Sequence, residues 1–542
     1  MQGAQGVEEV IYNGIKLPAV WPPRNIVNES GEPPATPYLD NPPSLIPIDV
    51  GRQLFVDNFL VETSDLHSSF HYPEKYEGNP VLRPETAWEK QGMAAACPKS
   101  GGVWWDYDEK IFKMWYGASF FNGSVCYATS EDGLRWNRPG LDIEPGTNRV
   151  SPLGVEPDSW TVVPDYWTTD RSQKYKIFLR EPGCGGGRAL CYMSPDGLHW
   201  GYPVASGLTD DRSTMFFNPF RRKWCFSLRS GYGWDGWEKT GLEGTRTRHY
   251  RESSDFLEGT QWIDWRPGKG GKAVPWAHAD KFDLPDPEIG RPTQLYNLDA
   301  VAYESLMLGF FEIHRGPANA DCAKVGLPKI TELNFAYSRD GFHWHRPDRA
   351  AAIRAERRDV WDRGYVQSVG NICTVRKDKI WFYYIGTQGN PERGAEGVYD
   401  RCSTGVAFLR RDGFVSMDAI GTGHLTTRLL TFGGKHLFVN VDAPDGELKV
   451  EALDAARNPI KAFSMENCEP LTGDTTSGQI HWKSGDDLSA LNGKPVRFRF
   501  KLTRGKLYSF WVSKDATGRS DGYVAGGGPD FTGPTDTVGN RP

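Results

Sequence analysis

A seven-residue pattern, Ser-x-Asp-Gly-x-x-Trp, comes three times in this chain and sets the terms for its fold. The copies are S-E-D-G-L-R-W at 130–136, S-P-D-G-L-H-W at 194–200 and S-R-D-G-F-H-W at 338–344. Each follows an aromatic-rich segment and runs on to Pro139, Pro203 or Pro347. Two looser echoes fill the gaps: S-S-D-F-L-E-G-T-Q-W at 253–262, and R-D-G-F at 411–414, which lacks the tryptophan. Asp-Gly is a strong hairpin signal, because Gly accepts positive φ and Asp bonds the backbone just ahead of it. Five hairpins at intervals of roughly 60–85 residues are the pattern of a β-propeller with about five four-stranded blades.

The rest of the chain supports that count. In every unit a strand, a turn and a second strand precede the hairpin: 101–105 and 111–117, 160–163 and 175–180, 214–217 and 224–229, 300–303 and 306–312, 369–375 and 380–386. Period-2 apolar patterning and turn residues agree across all five. The expected architecture is all-β: an irregular Pro- and Asn-rich leader over 1–47, a five-bladed propeller over 48–423, a C-terminal β-sandwich over 424–513, and a Gly- and Pro-rich tail over 514–542 expected to be disordered. The strand-like runs 53–56 and 59–62 are expected to complete the last blade, removing an exposed edge.

Composition narrows the partners. A net charge of −6 over 542 residues leaves no basic face, which argues against nucleic acid. No apolar run approaches a membrane span. The nine cysteines show no C-x-x-C spacing; most are expected as free buried thiols, with room for one or two disulfides. The opening M-Q-G-A-Q-G has no apolar signal core, so the chain is expected to be periplasmic or secreted with its leader already removed, or else cytoplasmic. The Gly-rich stretch 183–187 precedes no helix, no G-x-S-x-G elbow occurs, and the histidines lack metal-ligand spacing. No cofactor is required; a structural Ca²⁺ held by carboxylates and carbonyls fits a propeller funnel.

Propeller geometry sorts the polar residues. Side chains just before the first strand of a blade, or at the end of the second, converge on one mouth of the central funnel. Blade 1 then offers Trp88, Glu89, Lys99 and Ser119, and blade 2 offers Glu156, Asp158, Arg180 and Glu181. Blade 3 offers Asp210, Asp211, Arg212 and Arg229, blade 4 Asn297, Asp299, Glu312 and His314, and blade 5 Trp361, Asp362, Tyr365, Gln367 and Gln388. Asp106, Asp108, Asp170, Glu304 and Asp378 fall at the opposite end. Carboxylates from neighbouring blades in one concave site meet the need of glycoside hydrolysis, one protonated to release the leaving oxygen and another ionised. Crowding and burial separate their pKa values. Trp88 and Trp361 offer flat faces for sugar rings. Against this stands the plainer reading that an acid before a strand forms a turn, and that Arg180 and Arg229 bridge to Asp158 or Asp211 rather than clamp a ligand.

The repeated S-x-D-G-x-x-W hairpins, the five blades and the C-terminal β-sandwich together resemble the five-bladed glycoside hydrolases of families 32 and 43, over about residues 48–513. The hairpin is also similar to the sialidase Asp box, and L-Y-N-L-D-A-V-A-Y-E-S-L-M-L-G at 295–309 resembles family-32-like bacterial proteins. The catalytic signatures depart from that pattern: N-D-P-N-G, R-D-P and E-C motifs are absent at the matching places, and Pro98-Lys99-Ser100 stands where a nucleophile is expected. The resemblance therefore implies only the general scheme of funnel carboxylates acting on a plant or microbial poly- or oligosaccharide. The leading expectation is an exo-acting glycosidase with Glu312 as general acid, Asp211 as base or nucleophile and Asp158 raising or orienting them. Trp88, Glu89, Lys99, Arg180, Arg212, Arg229, Asp299, His314, Trp361, Tyr365 and Gln367 are the expected substrate contacts. Two alternatives stay open: a sialidase-like hydrolase in which Arg180, Arg212 and Arg229 hold an acidic sugar, with Tyr365 or a carboxylate as nucleophile, and a non-catalytic carbohydrate-binding propeller. Oligomeric state is left open.

Overall fold

The computed structural model describes residues 9–26, 30–121, 123–151, 155, 157–180, 187–229, 241–242, 244–262 and 273–539. Five antiparallel sheets form the propeller. Blade 1 holds Val103–Asp106, Ile111–Ala118 and Ser124–Ser130, its outer position marked by bridges at Asn137 and Arg149. Blade 2 is Ser159–Pro164, Tyr175–Arg180, Arg188–Ser194 and Val204–Leu208. Blade 3 is Thr214–Asn218, Lys223–Arg229, Arg248–Ser253 and Val274–Ala277. Blade 4 is Gln294–Glu304, Leu306–Gly316 and Ile330–Ser338, with bridges to His345 and Ile353 outside it. Blade 5 is Gly364–Arg376, Lys379–Thr387 and Cys402–Arg410, completed by Glu74–Lys75.

The recurrent motif joins third strand to fourth, and it also clasps the preceding blade. In the first copy Asp132 accepts from the amides of Leu134 and Arg135, while the Ser130 hydroxyl accepts from Gly133 N–H. The second and third copies repeat this through Asp196 with Ser194 and Asp340 with Ser338. The carbonyls so presented then accept from aromatic donors one blade back. Tyr383 of blade 5 donates to Gly133 O at 2.9 Å, Trp115 of blade 1 to Gly197 O at 2.7 Å, and Trp276 of blade 3 to Phe342 O at 2.8 Å. Glycine is required on two counts. Gly133, Gly197 and Gly341 have φ of +75°, +80° and +81°, and a Cβ at Gly197 would sit 2.5 Å from the Trp115 ring.

Ring closure differs from the sequence expectation. The strand that completes blade 5 is Glu74–Lys75, paired with Phe408 and Ala407. The run at 53–56 gives Gln53–Leu54, which pairs with Ser509 and Phe510; Val61–Ser64 and His67–Phe70 pair with Val415–Thr427. These early strands cover the edges of the C-terminal sheet, which otherwise presents unpaired backbone groups. That sheet has seven antiparallel strands, its backbone being Leu471–Gln479, His436–Leu453, Arg497–Ser513 and Val415–Thr427. It begins at Val415 rather than at 424. Eighteen residues in one straight strand would span roughly 60 Å; bulges within His436–Leu453 and Val415–Thr427 bend the sheet instead. It shares one apolar core with Ile11, Ile15, Leu17 and Tyr38 of the leader. Among the described residues no helix is long and apolar enough to cross a membrane.

The tail is ordered, correcting the expected disorder. Tyr523–Val524 pair with Glu304 and Tyr303 of blade 4, Gly526 exchanges backbone bonds with Trp105 of blade 1 and Cys373 of blade 5, and Val375 N–H bonds Gly527 O. The tail thus runs across the far mouth of the funnel, leaving a cavity of about 40 Å³ beneath it. Glu304, at this end as expected, is fully buried and tied to Arg52 N–H, Arg411 and Ser520. The described cysteines, eight of the nine, are all free and buried.

Candidate active site

At the open mouth, blades 1 to 3 build an arc of alternating charge. Lys99 donates through Nζ to the Asp158 carbonyl, and Arg180 pairs with the Asp158 carboxylate. Arg180 also lies 3.7 Å from Asp210, and Arg229 reaches Asp210 at 3.4 Å and Asp211 at 3.3 Å. Arg180 and Arg229 thus meet three carboxylates, which is their ion-pair reading. Lys99 is buried with its ammonium 4.4 Å from the Phe120 ring centroid and 5.2 Å from that of Trp160. Burial pushes its pKa down.

Deeper in the funnel lies Glu312, on the second strand of blade 4 and fully buried. Gln367 of blade 5 donates to its Oε1 at 2.7 Å; its Oε2 faces Arg212 Nη2 at 3.6 Å and has no hydrogen-bond partner among the described residues. Burial raises this carboxyl to about 7, against the opposing pull of Arg212 and the Gln367 bond. Asp299, one pleat along the neighbouring strand, is held by Ser100 of blade 1, Asn297 of blade 4 and Ser368 of blade 5, all donating to Oδ2. Its Oδ1 is unpartnered.

Arg212 separates the two layers. It has φ +58°, is buried, and none of its three guanidinium nitrogens has a hydrogen-bond partner among the described residues. Arg248, also buried, donates through Nη1 to the Arg212 carbonyl and leaves Nε and Nη2 without a hydrogen-bond partner among the described residues. Asn297 Oδ1 and Gln367 Oε1 are likewise unpartnered. Each such buried polar group costs about 1–3 kcal/mol, so a concentration of them on one funnel floor marks a surface made to bond something polar. Backbone strain gathers in the same place: Lys99, Ser119 and Tyr365 have φ of +48°, +64° and +49°.

The carboxyls divide in character. Burial, then the charge of Asp211, raises Asp158 to about 6, with Arg180 and Lys99 opposing. At Asp211 burial pulls upward as well, but the charges of Arg229, Arg212, Lys99 and Arg180 prevail and hold it below the ordinary carboxylate range. One group kept protonated near neutrality and another kept ionised, with an arginine facing one and biasing the other, is an acid–base division of labour.

Other expected contacts lie elsewhere. Trp88 donates to Asn148 on the outer side of blade 1 and lies under Arg149. Glu89 is buried and saturated by Glu85 N–H, Thr86 N–H, the Tyr116 hydroxyl and Arg138, so it is a structural tie. Trp361 fills the space left by Gly386 and Gly405 against Tyr384, making it a filler of blade 5 rather than a sugar platform. Asp362 holds Lys75 of the closing strand. Tyr365 shares a hydrogen bond with Tyr296, and burial drives its pKa well up, which disfavours it as a nucleophile. Glu156, Glu181 and residues 183–186 of the Gly-rich stretch lie outside the described residues. Among those described, no group of three or more His, Cys, Asp or Glu is arranged to hold a metal ion.

Sequence reasoning missed Arg246, Arg248, Lys329 and Tyr399. All sit at or just before third strands, which also start at the open mouth. Extending the strand-end rule by one strand finds them.

No family model matches the chain, and no curated protein matches its sequence. Solved structures similar to it include an N-acetylgalactosamine deacetylase from F. plautii in complex with blood group B trisaccharide, at 14% identity and TM-score 0.41, covering 64% of this chain and 96% of that one. A β-1,2-mannobiose phosphorylase from Listeria innocua gives 12% and 0.37, covering 62% and 96%. An exo-β-1,3-galactanase from Phanerochaete chrysosporium gives 9% and 0.33, covering 79% and 99%. Likeness at this level carries nothing about chemistry, which rests on the side chains of the funnel.

Proposed function

We propose that the funnel cleaves a glycosidic bond at the end of a carbohydrate chain, with Glu312 as general acid and Asp211 as its ionised partner. The observation that carries this is the state of Glu312: buried, raised to about 7, with one oxygen unpartnered among the described residues and turned toward Arg212. In the cleavage step the C1–O bond breaks and Glu312 gives its proton to the departing oxygen. Asp211 either removes a proton from the water that attacks C1 or bonds C1 itself and is released later by water. Asp158, near 6, takes its elevation first from burial and then from the Asp211 charge. The tail across the far mouth supports exo action, since a substrate then enters from one side only.

The test is replacement by amides. Glu312→Gln and Asp211→Asn are each expected to lower turnover of phenyl glycosides by about 100-fold or more, with the melting temperature kept or raised in Glu312→Gln and lowered in Asp211→Asn, which loses its ion pair with Arg229. Undiminished turnover in either variant refutes its assigned role. A non-catalytic carbohydrate-binding propeller would bind sugars with no turnover in the parent protein either. The sialidase-like reading loses support because Arg180 and Arg229 are neutralised by Asp158, Asp210 and Asp211.

A further inference from the structure

Basic side chains gather again on the other side of Glu312. A cavity of about 180 Å³ opens there, lined by Arg246, Arg291, Gln294, His314, Asn319 and Lys329 among others. Among the described residues no carboxylate lines it, and of its three basic side chains only Arg291 has an ion-pair partner, Asp321 at 2.7 Å. Arg246 is braced by Gln294 Oε1 at 2.7 Å and lies over the Tyr296 ring, with its buried Nε unpartnered among the described residues. Lys329 is buried and held by the hydroxyls of Tyr296 at 3.1 Å and Tyr399 at 3.0 Å.

His314 links this cavity to the proposed chemistry. It lies two residues from Glu312 on one strand, so both side chains leave the same face roughly 7 Å apart. That is about the width of one sugar ring. His314 is more than nine-tenths buried, its Nε2 is unpartnered among the described residues, and its ring packs on Tyr296. Burial, then the charges of Lys329 and Arg246, pushes it well below its ordinary range, while it bonds the Pro317 backbone. A neutral imidazole donating to a carbonyl through one nitrogen offers the other as an acceptor for a hydroxyl. The Arg246 guanidinium and the Lys329 amine, which burial and then the Arg246 charge bring down to about 7, stand beside one hydroxyl acceptor and match a sugar carboxylate flanked by a ring hydroxyl. They match a bare oxyanion less well, because such an ion brings no proton for His314 to accept.

We infer that the cavity beside Glu312 is a subsite for the carboxylate of a uronic-type sugar, with Arg246 and Lys329 holding the carboxylate and His314 accepting from the adjacent hydroxyl. This rests on the proposed cleavage site and names the class of residue it would release. It also moves the acidic-sugar clamp from Arg180 and Arg229 to a different set of cations.

The test reads binding rather than turnover, so that it stands apart from the roles of Glu312 and Asp211. Full-length Glu312→Gln protein is titrated calorimetrically with glucuronic, galacturonic and mannuronic acids and with glucose, galactose and mannose. At least one acid is expected to bind tenfold or more tightly than its neutral counterpart. Arg246→Gln is expected to bring that ratio under twofold while the neutral sugar's Kd stays within twofold, and Arg246→Lys to restore part of it. Melting curves of the Arg246 variants show whether they fold. Ratios under twofold for all three pairs in the parent overturn the subsite. Arg246-dependent binding of inorganic phosphate without binding of any acid overturns the assigned occupant.

Discussion

Arg212 is the residue on which the funnel's electrostatics turn. Its charge opposes the rise of Glu312 and helps hold Asp211 ionised. Arg212→Met removes both influences, so the alkaline limb of kcat/KM, set by Glu312 near 7, is expected to move to higher pH while the maximum falls; a limb that stays in place or moves down contradicts the pairing. Glu312 also makes stability depend on pH. Its folded pKa of about 7 lies above the ordinary 4.5, so stability is greatest below 4.5 and is lost as pH rises through 7. Glu312→Gln is therefore expected to be favoured over the parent at pH 8 relative to pH 4, by up to about 3 kcal/mol, measured by urea denaturation at the two pH values. At this scale the sequence was partly legible. Asp158 and Asp211 sit just before first strands, where position alone directs a side chain to the funnel, whereas Glu312 lies within Leu306–Gly316 rather than at its end. Trp88 and Trp361 misled because a tryptophan packed into a blade and one that stacks on a sugar have the same surroundings in sequence. The positive φ of Arg212, Lys99 and Tyr365 has no sequence signal, since each residue type ordinarily avoids it.

Among the elements, the Asp-Gly turn carries more than turn formation. Its carbonyl receives a bond from the blade before it, so one motif shapes a hairpin and fixes blade-to-blade spacing. Gly197→Ala places a methyl 2.5 Å from the Trp115 ring at φ +80°. It is expected to destabilise by about 2 kcal/mol or more, read as a lower melting temperature with kcat/KM at 25 °C unchanged. Trp115→Phe, which keeps the packing and loses the bond to Gly197 O, is expected to cost about 1 kcal/mol. The blades were readable because their turns are fixed by local chemistry. The closing strand was not, because Glu74–Lys75 is two residues long and too short to show alternation. The longer runs nearby look more strand-like but serve the C-terminal sheet, where the edges of Val415–Thr427 and Arg497–Ser513 need covering.

For the molecule as a whole, a buried charge network fastens the propeller to what lies around it. Arg52 of the N-terminal segment, Glu304 of blade 4, Arg411 and Asp412 after blade 5 and Asp536 of the tail meet there, with Tyr303 and Ser509 bonding Asp412. Breaking one buried ion pair leaves its partner uncompensated, so Asp536→Asn is expected to destabilise by about 3 kcal/mol, and calorimetry is expected to show one unfolding transition for propeller and C-terminal sheet together. Two resolved transitions would mean that the network does not couple them. Fastening and plug together leave one open mouth, with a protonated carboxyl at its depth. The most direct test of that carboxyl's role compares leaving groups. A general acid matters only where the departing oxygen needs a proton, so Glu312→Gln should lose most of its kcat/KM on methyl or phenyl glycosides and far less on 2,4-dinitrophenyl glycosides of the same sugar. An equal loss on both would show that Glu312 does not deliver the proton.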